Sequence, residues 1–135
     1  METTQDFSSQ KFPKQERLTS KKTIEELFSK GSSVFVYPFR LLYLPKPFGS
    51  SHLPSHPQVL FSVSKKHFKK AVDRNLIKRR MREAYRLNKR ELLQAIPTHQ
   101  LPASVALIYI AKEKIDFATL QKKLKTIWLR LVNNA

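Results

Sequence analysis

The sequence contains no cysteine. Disulfides and thiolate metal sites are therefore excluded, and a reducing compartment suits the chain. It has no unbroken apolar run of about 18 residues, so no segment reads as a helix crossing a bilayer. Its first residues, METTQDFSSQKFPKQER, lack the apolar core of an export signal, which predicts a cytoplasmic protein. Acidic residues are scarce, with 10 Asp and Glu against 26 Lys and Arg. They are scattered, and no set of them suits a two-metal nuclease centre. His52 and His56 share a loop at i, i+4 spacing, which is too little for a metal site, so no protein metal ligands and no catalytic side chains are assigned.

What remains is a chain of 135 residues that is 41% apolar, enough for one domain with one packed core. Its formal net charge is +16. A charge so far from balance points to a polyanionic partner, either nucleic acid or an anionic membrane surface.

Residues 1–16 read as a mobile polar tail, and 17–135 as the folded domain. Thr19 or Ser20 can cap a short helix that stops at Gly31, with Ile24, Leu27 and Phe28 on its apolar face. SSVFVYPFRLLYLP, interrupted by Pro38, reads as two extended segments over 33–37 and 39–44. A proline-rich loop follows over 45–57. QVLFSVS (58–64) is a strand, and a long helix starts at Ala71 and ends before Pro97. SVALIYIA (104–111) is apolar almost throughout, as in a strand buried on both faces. Asp116 can cap a last helix whose residues Phe117, Leu120, Leu124, Ile127, Trp128 and Leu131 recur at helical spacing. The order α-β-β-β-α-β-α predicts a single-domain α+β sandwich with a small mixed four-stranded sheet.

The stretch AVDRNLIKRRMREAYR (71–86) carries the sharpest signal. On a wheel turning 100° per residue, Arg74, Asn75, Lys78, Arg79, Arg82, Arg86, Lys89 and Arg90 share one arc. Leu76, Ile77, Met81, Ala84 and Leu87 share the opposite one. Arg80 falls among the apolar residues and is expected to snorkel along its stem. Glu83 sits at the boundary, within reach of Arg79 or Arg86. Cations stacked at i, i+4 steps repel in the free protein, and phosphates on that face relieve the repulsion. A face of this kind reads as nucleic-acid binding. No helix-turn-helix, zinc finger or zipper is visible, which favours RNA over DNA. Charge pattern alone leaves open a non-enzymatic RNA-binding or ribosomal protein of similar fold, and a helix on a membrane surface.

Residue order narrows this. FSVSKKHFKKAVDRNLIKRRMREAYR (61–86) closely resembles the signature of the bacterial ribonuclease P protein subunit. That family has a strand reading S-V-S-K-K, found here at Ser62–Lys66. It is followed by A-V-x-R-N-x-x-K-R-x-x-R-E-x-x-R, found at Ala71, Val72, Arg74, Asn75, Lys78, Arg79, Arg82, Glu83 and Arg86. Arg17–Leu18 and Phe28-x-x-Gly31 agree more loosely. The segment HFKK before the helix is one residue longer than the family's usual turn.

The resemblance implies a subunit of a ribonucleoprotein endonuclease that removes the 5′ leader of precursor tRNA. Its RNA subunit and RNA-bound Mg²⁺ carry the chemistry, and the protein alone is inactive. It implies that Arg74, Asn75, Lys78, Arg79, Arg82 and Arg86 face the catalytic RNA. It also implies a separate cleft, between the sheet and the first helix, for the single-stranded leader. The residues expected there are Phe28, Leu41, Tyr43, Lys65 and Lys66. The implied partners are catalytic RNA and precursor tRNA, with neither membrane nor DNA. The family fold has a left-handed βαβ crossover, against the usual right-handed rule.

Overall fold

The computed structural model describes residues 12–44, 57–97 and 101–134. The tail over 1–11, nearly all of the proline-rich loop, and His52, His56 and His99 lie outside the described residues. The elements run in the expected order. A short 3-10 helix (Lys14–Glu16) precedes α1 (Lys21–Lys30), β1 (Ser32–Val36), β2 (Phe39–Leu44), β3 (Gln58–Val63), α2 (Ala71–Gln94), β4 (Ser104–Tyr109) and α3 (Phe117–Asn134).

Local chemistry sets the boundaries. The Ser20 hydroxyl accepts the Thr23 N–H and starts α1. Gly31 ends it in ordinary extended backbone, and the reason for glycine there is close approach. A Cβ at Gly31 would collide with the Leu27 carbonyl, whose oxygen accepts the Gly31 N–H. Pro38, in a cis Tyr37–Pro38 turn, separates β1 from β2. Asp116 Oδ2 accepts the Thr119 N–H at 3.1 Å and opens α3.

The four strands lie in the order β1-β2-β4-β3. β1 and β2 pair antiparallel, as do β2 and β4, while β3 and β4 pair parallel across α2. One sheet face carries α2 and α3. There Val34, Phe39, Leu41, Val59, Phe61, Val105 and Leu107 meet Ile77, Met81, Tyr85, Leu124 and Trp128 in the main core. The indole Nε1 of Trp128 donates to the Leu92 carbonyl at 3.1 Å, so its polar edge is satisfied inside that core. The other face carries α1, where Leu18 and Leu27 pack on Leu42 and Ala106. β4 is thus covered on both faces, as its unbroken apolar run requires.

Two expectations need correction. Residues 12–16 are not tail. Phe12 is buried edge-on between Phe61 and Tyr85, with ring centroids 5.7 Å from each. Leu18 donates its N–H to the Val59 carbonyl, and Arg17 bridges to Val59, so this segment straps the β3 edge of the sheet. The second correction concerns α2. Lys89, placed on the cationic face, is only 1% exposed and pairs with Glu16 at 3.1 Å. The buried arc of α2 runs through Ile77, Met81, Ala84, Tyr85, Lys89 and Leu92, while Leu87 is exposed.

Candidate nucleic-acid interface

The solvent face of α2 is cationic. Asn75, Arg79, Arg82 and Arg90 are exposed, and Arg74, Lys78 and Arg86 are half-buried. These positions follow from the helical pitch once Ile77, Met81 and Ala84 are fixed against the sheet. Lys78 and Arg82 turn towards Arg17 of the N-terminal strap across a cavity of about 300 Å³ floored by Val59, Leu60 and Phe61. Arg17 is held there by a hydrogen bond from Nε to the Phe12 carbonyl and by the Phe12 ring, 5.6 Å from its guanidinium carbon. Three cations from two elements therefore converge on one rim.

Two members of the predicted set also have local work. Arg74 Nη1 donates to the carbonyls of Phe68 and Lys69, both at 2.8 Å, and so fastens the HFKK turn to the start of α2. Its neighbour Lys70 supplies no side-chain cap. Arg86 pairs with Glu83 through two hydrogen bonds at 2.7 and 3.0 Å. The Arg86 guanidinium holds the Glu83 carboxyl below its usual range, and Glu83 raises Arg86 in turn. Among the described residues, Lys78, Arg79 and Arg82 make no ion pair with a carboxylate. The cationic charge of the face is therefore largely uncompensated by the protein itself.

The cleft beside α1 is lined differently from expectation. Leu41 is 0% exposed and belongs to the α2–α3 core. Tyr43, two residues on, leans against the same core. Strand alternation puts both on the wrong side of the sheet for a cleft next to α1. The residues facing α1 are their neighbours in register. One row runs Phe35, Arg40, Ile108 and Ser62, across all four strands. The next row holds Ser33, Leu42, Ala106 and Leu60, and α1 covers its centre at Leu42 and Ala106.

The first row is open. Phe35 is 58% exposed, and Phe28 on α1 is 53% exposed. Arg40 is exposed, with Ile108 and Ser62 half-buried. Lys65 and Lys66 are exposed and follow β3 at the same end of the sheet as this row. The result is an open sheet floor with aromatic faces and cationic edges, suited to stacking bases while holding phosphates. Phe35, Arg40 and Ile108 were not among the residues expected in this cleft. The signal was the alternation in SSVFV, where Val34 and Val36 go to the core and Phe35 cannot.

Among the described residues, no three His, Asp or Glu side chains come close enough to hold a metal ion, and no helix is long and apolar enough to cross a membrane.

Comparison with known proteins agrees with this architecture. The ribonuclease P family model matches residues 12–132. The ribonuclease P protein component of Porphyromonas gingivalis is 37% identical over 121 residues, covering 90% of this chain and 86% of that protein. That of Chromohalobacter salexigens is 35% identical over 128 residues, covering 93% and 88%. The solved ribonuclease P protein from Thermotoga maritima superposes with a TM-score of 0.66 at 27% identity, covering 85% of this chain and 96% of that one. The matched span starts at Phe12, the first residue of the strap, and takes in both the cationic helix and the open sheet floor. This chain therefore belongs to the ribonuclease P protein family, the protein subunits of the ribonucleoprotein endonuclease that processes the 5′ end of tRNA.

Proposed function

We propose that the exposed cations of α2 bind the catalytic RNA while the open floor beside α1 holds the 5′ leader of precursor tRNA. The observation that carries this is the separation of the two surfaces. α2 and α1 lie on opposite faces of one sheet, so one domain can touch two RNA segments at once. Asn75, Lys78, Arg79 and Arg82 contact backbone phosphates, joined by Arg17 from the strap. Each such contact releases condensed counterions. Arg74 and Arg86 add charge while fixing the turn and the helix face. On the other side Phe28 and Phe35 stack leader bases, and Arg40, Lys65 and Lys66 steady the leader backbone. Leu41 and Tyr43 shape that floor only from behind.

Mg²⁺ belongs to the RNA in this reading, and bound there it would supply a metal-activated water for hydrolysis. The described part of this chain offers no cluster of ligands for it. The protein binds and positions RNA, and lowers the Mg²⁺ needed by adding fixed positive charge. The RNA partner supports a cytoplasmic setting.

Reconstitution tests the reading. Added to the catalytic RNA at limiting Mg²⁺, the chain should restore cleavage of precursor tRNA at the mature 5′ end, and alone it should cleave nothing. A failure to stimulate would remove the assignment, and cleavage by the protein alone would contradict the division of labour.

A further inference from the structure

α2 has a third, apolar strip that neither core uses. Val72 is 77% exposed, Leu87 is exposed, and Leu76 is half-buried yet belongs to neither packed cluster. Leu76 and Leu87 were expected to face inward with Ile77 and Met81. Instead Leu76 forms one wall of an open groove of about 480 Å³, with Phe117 at the start of α3 as the other wall. Arg79, Arg80 and Glu83 rim it.

The rim decides what fits. Arg79 and Arg80 have no carboxylate partner among the described residues, so a second copy of this chain, with the same rim and a net charge of +16, is repelled. The cations call for a polyanion. Glu83, ion-paired with Arg86, brings only acceptor oxygens to the groove, which suit N–H groups and offer a phosphate no donor. An apolar slot with an acceptor at its edge and arginines outside it matches a nucleobase whose own phosphates lie on the arginines. The groove also continues the cationic face, because Arg79 belongs to both.

We propose that the Leu76–Phe117 groove receives an unpaired nucleobase of the RNA bound along α2, packed against Phe117 with its edge towards Glu83. This rests on the reading of α2 as the catalytic-RNA face. It adds a shape-selective contact to a surface otherwise working by charge. Arg80, which looked misplaced on the apolar side of the wheel, then extends its stem along the groove and its head to the nucleotide backbone.

The test measures binding of the full-length chain to the catalytic RNA across a range of salt, with base-specific chemical footprinting of the RNA. Leu76→Ala opens no core cluster and should leave the thermal midpoint unchanged. It should weaken binding about fivefold through lost apolar contact. Phe117→Ala should weaken it between about fivefold and 150-fold, the range for losing one stacked base. Neither should change the slope of log affinity against log salt, since no phosphate contact is lost. One unpaired base protected by the wild type should become reactive in both variants. If both variants bind within twofold of wild type with an unchanged footprint while Arg79→Gln still weakens binding, the groove holds no base and this inference alone fails. A lowered salt slope in Leu76→Ala would overturn it too, by showing that the site acts through phosphates. If Arg79→Gln also has no effect, the inference falls together with the assignment of α2.

Discussion

Removing one partner of the Glu16–Lys89 pair should destabilise the fold more than removing both. The Lys89 ammonium lies 3.1 Å from Glu16, with side-chain exposures of 2% and 10%. At that distance two unit charges attract by roughly 5 kcal/mol for an effective dielectric of about 20. Withdrawing each ion from water costs several kcal/mol, so the intact pair adds little net stability. Removing either ion takes that attraction from the one left behind, and breaking a buried pair costs about 3–5 kcal/mol. Here the lower end applies, near 3 kcal/mol, because Glu16 sits in a short strap whose local opening readmits water. In Lys89→Met the remaining carboxylate would also lie near the buried Tyr85 hydroxyl, whose pKa is pushed up first by burial and then by Glu16. Urea unfolding gives the numbers. Glu16→Gln and Lys89→Met should each lower the free energy of unfolding by about 3 kcal/mol, and the double variant should return to within roughly 1 kcal/mol of wild type. Single variants costing under about 1 kcal/mol each would refute a buried, structural Lys89 and return it to the surface face. A companion measurement should agree: Lys89→Met should leave the salt dependence of RNA binding unchanged.

The opposite exposures of Phe35 and Leu41 separate two substitutions on neighbouring strands. Phe35→Ala should weaken leader binding by about 1–3 kcal/mol in a fluorescence assay with precursor tRNA, without affecting stability. Leu41→Ala should cost about 2–5 kcal/mol of stability as a buried cavity, and leader affinity per folded molecule should stay constant. A reversal of those outcomes would restore the original assignment. For pH dependence, hydrogen bonds from the Thr119 side chain and backbone hold Asp116 below its usual range. The Lys114 ammonium does the same for Asp73. Depressed carboxylates contribute stability above their unfolded pKa and lose it as pH falls through the folded one. Asp116→Asn should therefore lower the thermal midpoint at pH 7 and flatten its decline between about pH 5 and pH 2. Parallel acid limbs in the two proteins would contradict the cap.

The elements that local chemistry determines were legible in advance. The Ser20 cap, the Pro38 break, the Asp116 cap and the burial of 104–109, complete except at Ile108, all depend on near neighbours or composition. So did the alternation of Phe39, Leu41 and Tyr43, which do share one face. What alternation cannot say is which face lies under two helices and which under one, because that is settled by packing partners far away in the chain. The same limit explains Lys89, whose partner Glu16 is 73 positions earlier. It explains α2 as well. A wheel ranks residues by polarity, whereas the sheet selected an arc that includes Tyr85 and Lys89 and leaves Leu76 and Leu87 outside. Arg79, Arg82 and Asn75 stay exposed despite this shift because they lie far from either version of the seam.

The salt dependence of catalytic-RNA binding tests the central claim most directly. Wild type and Arg79→Gln/Arg82→Gln should be compared at matched Mg²⁺ over a range of monovalent salt. Each lost phosphate contact should reduce the slope of log affinity against log salt by about 0.7–0.9, so the double variant should be flatter by about 1.4–1.8. An equal slope in the two proteins would mean that these arginines meet no phosphate, and that the RNA lies elsewhere on the domain.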